Sequence, residues 1–129
     1  MKPAAAGAAA ALVWAAAQPL DKRLFALDYS DVALLGKAVT RSRWWPVAGL
    51  ALHAANGAAF GVAATRLRVA PLPLALVENA ALFPLTYVSD RHHPARGTSG
   101  LAPICNARGF AQATFRHALF GAVLGRLAR

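Results

Sequence analysis

Four stretches of the chain are nearly free of charge, and the charged residues gather between them. These blocks cover roughly residues 4–20, 46–64, 71–88 and 109–127, each about 17–19 residues long and so near the lower limit for crossing a bilayer core. The pattern predicts an all-α fold: one membrane domain over residues 1–129, built as a four-transmembrane-helix bundle. The first block, AAAGAAAALVWAAAQPL, is almost pure alanine and reads as the weakest span. A signal peptide over residues 1–17 is its rival, because Ala15 and Ala17 give an A-x-A cleavage pattern. A single Lys at the amino end and a core without a run of leucines favour a retained span.

Residues 21–45 are amphipathic instead. Ser30 is placed to cap a short helix over about 31–41, with Asp31 in its first turn and Arg41 in its last. Val32, Leu35 and Val39 share one face while Lys37 and Arg41 lie off it, which predicts an interfacial helix resting on the headgroups. Trp44 and Trp45 then mark a membrane boundary, and Pro46 suits the first turn of the second span. The connection bearing Arg66 and Arg68 is short, so the second and third spans are expected to be antiparallel neighbours. Residues 89–108, SDRHHPARGTSGLAPICNAR, form the most polar stretch, where Pro and Gly break any helix.

The two halves also resemble one another. Phe60-Gly61-Val62-Ala63-Ala64-Thr65-Arg66-Leu67 aligns with Phe120-Gly121-Ala122-Val123-Leu124-Gly125-Arg126-Leu127. Leu12-Val13 leading to Pro19-Leu20 aligns with Leu76-Val77 leading to Pro84-Leu85, with one residue inserted. Two readings stand: duplicated helical hairpins of one orientation, or chance likeness among alanine-rich helices.

Composition agrees with lipid as the solvent of much of the surface. Apolar residues make up 57% of the chain and charged ones 15%, against about 25% charged in a soluble domain. The net charge of +9 raises nucleic-acid binding. The cations, however, flank the apolar blocks, where they set topology and meet anionic headgroups, and they form no stripe with interleaved aromatics. The expected partners are the lipid bilayer and a homo-oligomer or larger membrane complex, with no nucleic acid. The expected location is the inner, or plasma, membrane as a multi-pass protein. Lys22, Arg23, Lys37, Arg41, Arg43, Arg91, Arg96 and Arg108 outnumber Lys2, Arg66, Arg68, Arg126 and Arg129 on the opposite side. That excess mildly favours cytoplasmic long connections with both termini outside. The lone Cys105 excludes an intrachain disulfide.

Three short motifs carry a likeness: Trp45-x-x-Ala48-Gly49-Leu50-Ala51-Leu52-His53-Ala54-Ala55-Asn56-Gly57-Ala58-Ala59-Phe60-Gly61, then Glu78-Asn79-Ala80-Ala81-Leu82-Phe83-Pro84-Leu85, then Arg116-His117-Ala118-Leu119-Phe120-Gly121. Over about residues 10–127 the chain resembles small actinobacterial membrane proteins and, more distantly, the YagU-like inner-membrane family. That resemblance implies a four-helix inner-membrane protein and supplies no assigned reaction. Where those relatives carry a His in the third span, this chain has Glu78-Asn79.

Ionisable groups inside a span are costly and need a partner or a purpose. His53, Asn56, Glu78, Asn79 and His117 are the candidates. His53, Glu78 and His117 lie within about two residues of their span midpoints, or roughly 3 Å of helical rise. His53 shares a helical face with Gly57 and Gly61, and His117 with Gly121 and Gly125, so both imidazoles should point toward neighbouring helices. A structural reading makes the cluster a hydrogen-bonded network that fixes register. A second makes it a proton or ion path, or a small-ligand pocket. A third takes His53 and His117 as ligands of a metal or a b-type haem. His92 and His93, beside Asp90 and Arg91, offer a weaker metal site, although adjacent histidines on a loop are usually just solvated. Asp21, Asp28 and Asp31 are expected to pair with Lys22, Arg23 and Arg91, with Gln18 and Asp21 extending the buried network. No Ser-His-Asp arrangement, phosphate-binding glycine loop or zinc-protease helix is present, and no catalytic residue is assigned. The expected role is a non-enzymatic structural or accessory subunit, with a carrier as runner-up and a haem or metal redox protein third.

Overall fold

The computed structural model describes all of residues 1–129, and its regular secondary structure is helical apart from one isolated bridge. Helix α1 covers Pro3–Leu24, α2 Asp31–Val39, α3 Trp45–Leu67, α4 Pro71–Leu82, α5 Thr86–His92 and α6 Ala107–Leu127. Prolines open α1, α3 and α4 in the first turn, where a missing N–H costs nothing. Pro84 has no N–H for the α-helical ladder, and the chain tightens into a 3-10 turn over Phe83–Leu85 that joins α4 to α5. Arg68 ends α3 in the left-handed conformation at φ 55°, with its own N–H and that of Val69 closing onto Thr65 and Ala64.

Three helices are long and apolar enough to cross a membrane: Pro3–Leu24, Trp45–Leu67 and the continuous Pro71–His92. This reverses the expected order of strength. The alanine block qualifies, whereas α6 does not, because Gln112, Arg116 and His117 interrupt its apolar run. The helices also outrun the expected blocks at their charged ends, and α2 stops at Val39, two residues early.

Alanine turns out to be what makes α1 the axis of the bundle. Ala6, Ala10, Ala11 and Trp14 join Ala75, Phe120 and Leu124 in the main core. Beside Ala11 on the same face, Gly7 of α1 and Gly57 of α3 approach so closely that a Cβ on either would strike the other's carbonyl oxygen. Small residues permit this contact, and close backbone approach is what holds helices together without a hydrophobic drive. Gly61 sits on the carbonyl of Pro3, and Gly121 on Leu72 at the start of α4. Three of the four glycines in the two Gly-x-x-x-Gly patterns thus serve contacts within the chain, and Gly125 faces open space.

The helices pair as α1 with α3 and α4 with α6, and α1 also meets α6. The expected neighbours α3 and α4 touch at only a few positions. Their short link does not bring them together, because the glycine face of α3 is already committed to α1. Phe60 and Phe120, equivalent in the alignment of the two halves, meet edge-to-face with ring centroids 5.1 Å apart.

One end of the bundle carries a cap with its own small core of Tyr29, Ala33, Ala95, Leu101 and Ile104. Ser30 caps α2 as its position predicts, accepting from the Ala33 N–H at 3.1 Å. The helix backs onto α3 rather than resting on headgroups alone, since a Cβ on Gly36 or Gly49 would strike a carbonyl of the other helix. Lys37, expected to face outward, is buried. Its Nζ donates to Thr98 Oγ1 at 3.0 Å and Ser99 O at 2.7 Å and lies 4.7 Å from the Trp45 ring, pinning the loop of residues 93–106. Trp44 is exposed at this boundary, while Trp45 is half-buried.

Candidate functional site

The polar centre of the molecule is built around a residue the sequence reading overlooked. Arg116, 1% exposed, extends from the middle of α6 to Asp21 of α1, which is fully buried. Its Nε donates to Asp21 Oδ2 at 2.7 Å and one Nη to Asp21 Oδ1 at 2.6 Å, a fork-on-fork pair. The other Nη reaches Asp31 Oδ2 at 2.8 Å, and the Tyr29 carbonyl accepts from the guanidinium at 2.8 Å. Gln112 adds a donor to Asp21 Oδ1 at 3.0 Å. Trp14 Nε1 and Gln18 Nε2 donate to Asp31 Oδ2 at 3.0 and 3.5 Å, and Ser30 Oγ donates to Gln18 Oε1 at 2.7 Å. Two carboxylates therefore share one guanidinium, and the node carries one negative charge in excess.

This arrangement corrects the expected ion pairs. Asp21 and Asp31 pair with Arg116, not with Lys22, Arg23 or Arg91, because both point into the bundle. Asp28 does pair with Lys22, at 2.8 Å. The Lys22 contact, with the Gly100 N–H behind it, holds the Asp28 carboxyl below its ordinary range. Gln18 and Asp21 are buried, but they belong to the Arg116 node and do not extend the cluster of His53, Glu78 and His117. The signal for Arg116 was a full charge inside an apolar block, on the same face as Gln112 and Phe120 at four-residue spacing.

The five sequence candidates come together around one cavity of about 300 Å³, which His53, Asn56, Glu78, Asn79 and His117 all line. They do not form the expected network of mutual hydrogen bonds. His117 Nε2 lies 4.0 Å from Glu78 Oε2, while its Nδ1 is 2.8 Å from the Ala113 carbonyl. That carbonyl selects the tautomer with hydrogen on Nδ1 and leaves Nε2 free to accept a proton on the Glu78 side. His53, 6% exposed, sits apart, and its Nε2 has no hydrogen-bond partner at all. Trp14 abuts both imidazoles, with ring centroids 5.1 Å from His53 and 4.7 Å from His117. Asn79 donates to Thr114 Oγ1 at 2.9 Å, which ties α4 to α6. Asn56 is exposed and stands with Leu82 where α3 and α4 diverge, so the cavity opens sideways between those helices.

The weaker histidine pair is divided in its role. His93 is buried, with Nε2 2.8 Å from the Leu34 carbonyl and Nδ1 accepting from the Ala95 N–H at 3.0 Å. Both ring nitrogens are thus used in joining the loop to α2, and His92 is exposed beside it. The Asp90 carboxylate accepts from the N–H groups of Ile104 and Cys105, at 3.0 and 2.8 Å, and so belongs to the cap. No group of three His, Cys, Asp or Glu side chains is placed to hold a metal ion.

No protein-family model matches the chain, and neither does any of the curated proteins or solved structures compared with it.

Proposed function

We propose that this is a multi-pass protein of the plasma membrane in which α6 is a fourth span, and that the bundle is a carrier whose cavity holds a small ligand. On this reading α6 tolerates lipid because its one central charge, Arg116, is turned inward and paired through four hydrogen bonds, as intramembrane cations are when they pair. The observation that carries the carrier role is the sideways-open cavity on which two histidines and a carboxylate converge. A site serving register alone would saturate its polar atoms, yet His53 Nε2 is left bare and Glu78 has only a distant partner. Glu78 Oε2 and His117 Nε2 face one another at 4.0 Å, close enough to pass a proton after a small side-chain rotation. Their juxtaposition supports proton movement coupled to ligand occupancy.

The test is collapse of an imposed pH gradient in liposomes carrying the purified protein and a trapped pH dye. The wild type is expected to outpace empty liposomes, and Glu78→Gln and His117→Asn to reduce the protein-dependent rate at least tenfold. If Glu78→Gln changes thermal stability but no flux, the structural or accessory reading replaces this one. The haem reading asks the two imidazoles to face a common metal, whereas both pack against Trp14. A Soret band in the purified protein, lost in His53→Ala and His117→Ala, would revive it.

A further inference from the structure

Resting on the carrier reading for the place of the site, we infer that the cavity takes a protonated amine with an apolar body. Two independent observations define that ligand. The first is charge. Asp31 lines the cavity, and its Oδ2 accepts all three of its hydrogen bonds, from Arg116, Trp14 and Gln18, while Oδ1 accepts none. Glu78 lines the same space with only His117 at 4.0 Å. The guanidinium of Arg116 is consumed by Asp21, Asp31 and the Tyr29 carbonyl, so no fixed cation faces the cavity to attract an anion.

The second observation is the wall. Trp14, Tyr29, Phe60, Phe83 and Phe120 surround the two carboxylates, and aromatic rings around an acid favour an organic cation over a hydrated metal ion. A neutral guest of the same shape would leave Glu78 without a close counter-charge, which is unfavourable. His53 borders the same space, but its unpartnered Nε2 is itself buried and out of a guest's reach. A volume of about 300 Å³ admits one aromatic ring with a short amine arm, at the small end of ligand sites.

The probe is N,N-dimethylbenzylamine, protonated at neutral pH, titrated by calorimetry into the full-length protein in detergent. Its uncharged isostere isobutylbenzene and the anion phenylacetate are the comparators. Binding of the ammonium is expected to exceed both at least tenfold. Glu78→Gln should weaken it at least tenfold. Asp31→Asn is the more direct change but also removes a partner of Arg116, so Glu78→Gln carries the test if that variant fails to fold. Equal binding of isobutylbenzene and the ammonium, or an ammonium affinity unmoved by Glu78→Gln, overturns the amine assignment while leaving a carrier for another ligand. Absence of binding by any of these probes, together with no gradient collapse in liposomes, sinks both the amine and the carrier reading.

Discussion

Replacing Arg116 by Met should be the most damaging single substitution in the molecule. The change removes a side chain that is 1% exposed and makes four hydrogen bonds, two of them a forked pair at 2.6 and 2.7 Å. Asp21, with 0% exposure, would retain only the Gln112 amide at 3.0 Å. Removing one partner of a buried pair costs about 3–5 kcal/mol, chiefly because the remaining charge is stranded. For a chain of this size that corresponds to a fall in melting temperature of order 10 °C. Arg116→Lys keeps the charge but loses the planar fork and should cost about half as much. Asp21→Asn combined with Arg116→Met should recover a substantial part of the loss, because the stranded carboxylate is gone, and the pair should couple by about 2 kcal/mol. Thermal unfolding in detergent, followed by tryptophan fluorescence, measures the wild type, Arg116→Met, Arg116→Lys, Asp21→Asn and the double variant. Single variants within about 2 °C of the wild type, or a strictly additive double variant, would show that the node does not hold α1 and α6 together.

Other substitutions probe separate links. Gly57→Val drives a branched side chain into the α1 backbone and should lower stability by about 1–3 kcal/mol, whereas Gly125→Ala, with nothing within 4 Å, should leave the melting temperature unchanged. Lys37→Met releases the loop it pins, so tryptic cleavage at the exposed Arg96 should quicken several-fold while the helical signal persists. For Asp28 the folded carboxyl titrates below the ordinary 3.8, so its contribution is full above that value and is lost as pH falls through the lower folded one. Melting curves from pH 6 to pH 3 should therefore decline at the acid end, and more shallowly in Asp28→Asn.

The sequence was most legible where one physical rule acts alone. Hydropathy located the helices, Ser30 announced the start of α2, and His53, Glu78 and His117 reported their shared level through position within the blocks. It was least legible where partners are chosen over long separations. Lys37 looked outward by helical spacing, but its chain reaches Thr98 and Ser99 some sixty residues on, and no local pattern encodes that contact. Asp21 and Asp31 had cations close by in sequence. Both took Arg116 instead, because an apolar interior rewards the partner that enters with them. The alanine block was undervalued because hydropathy measures attraction to lipid, whereas Gly7, Ala10 and Ala11 act through how near they let α3 and α6 come.

The Arg116–Asp21 pair also sets an order on biogenesis. During synthesis α1 emerges first and brings into the membrane an acid whose cation is 95 residues downstream. Until α6 arrives, the nascent hairpin holds an unneutralised Asp21, and α6 on its own carries an arginine that disfavours insertion by about 2.5–3.5 kcal/mol at a helix centre. On the proposed reading of α6 as a span, its insertion therefore depends on pairing with α1. A chain truncated before α6 retains a polar defect that quality-control proteases can recognise, and only the completed protein erases it.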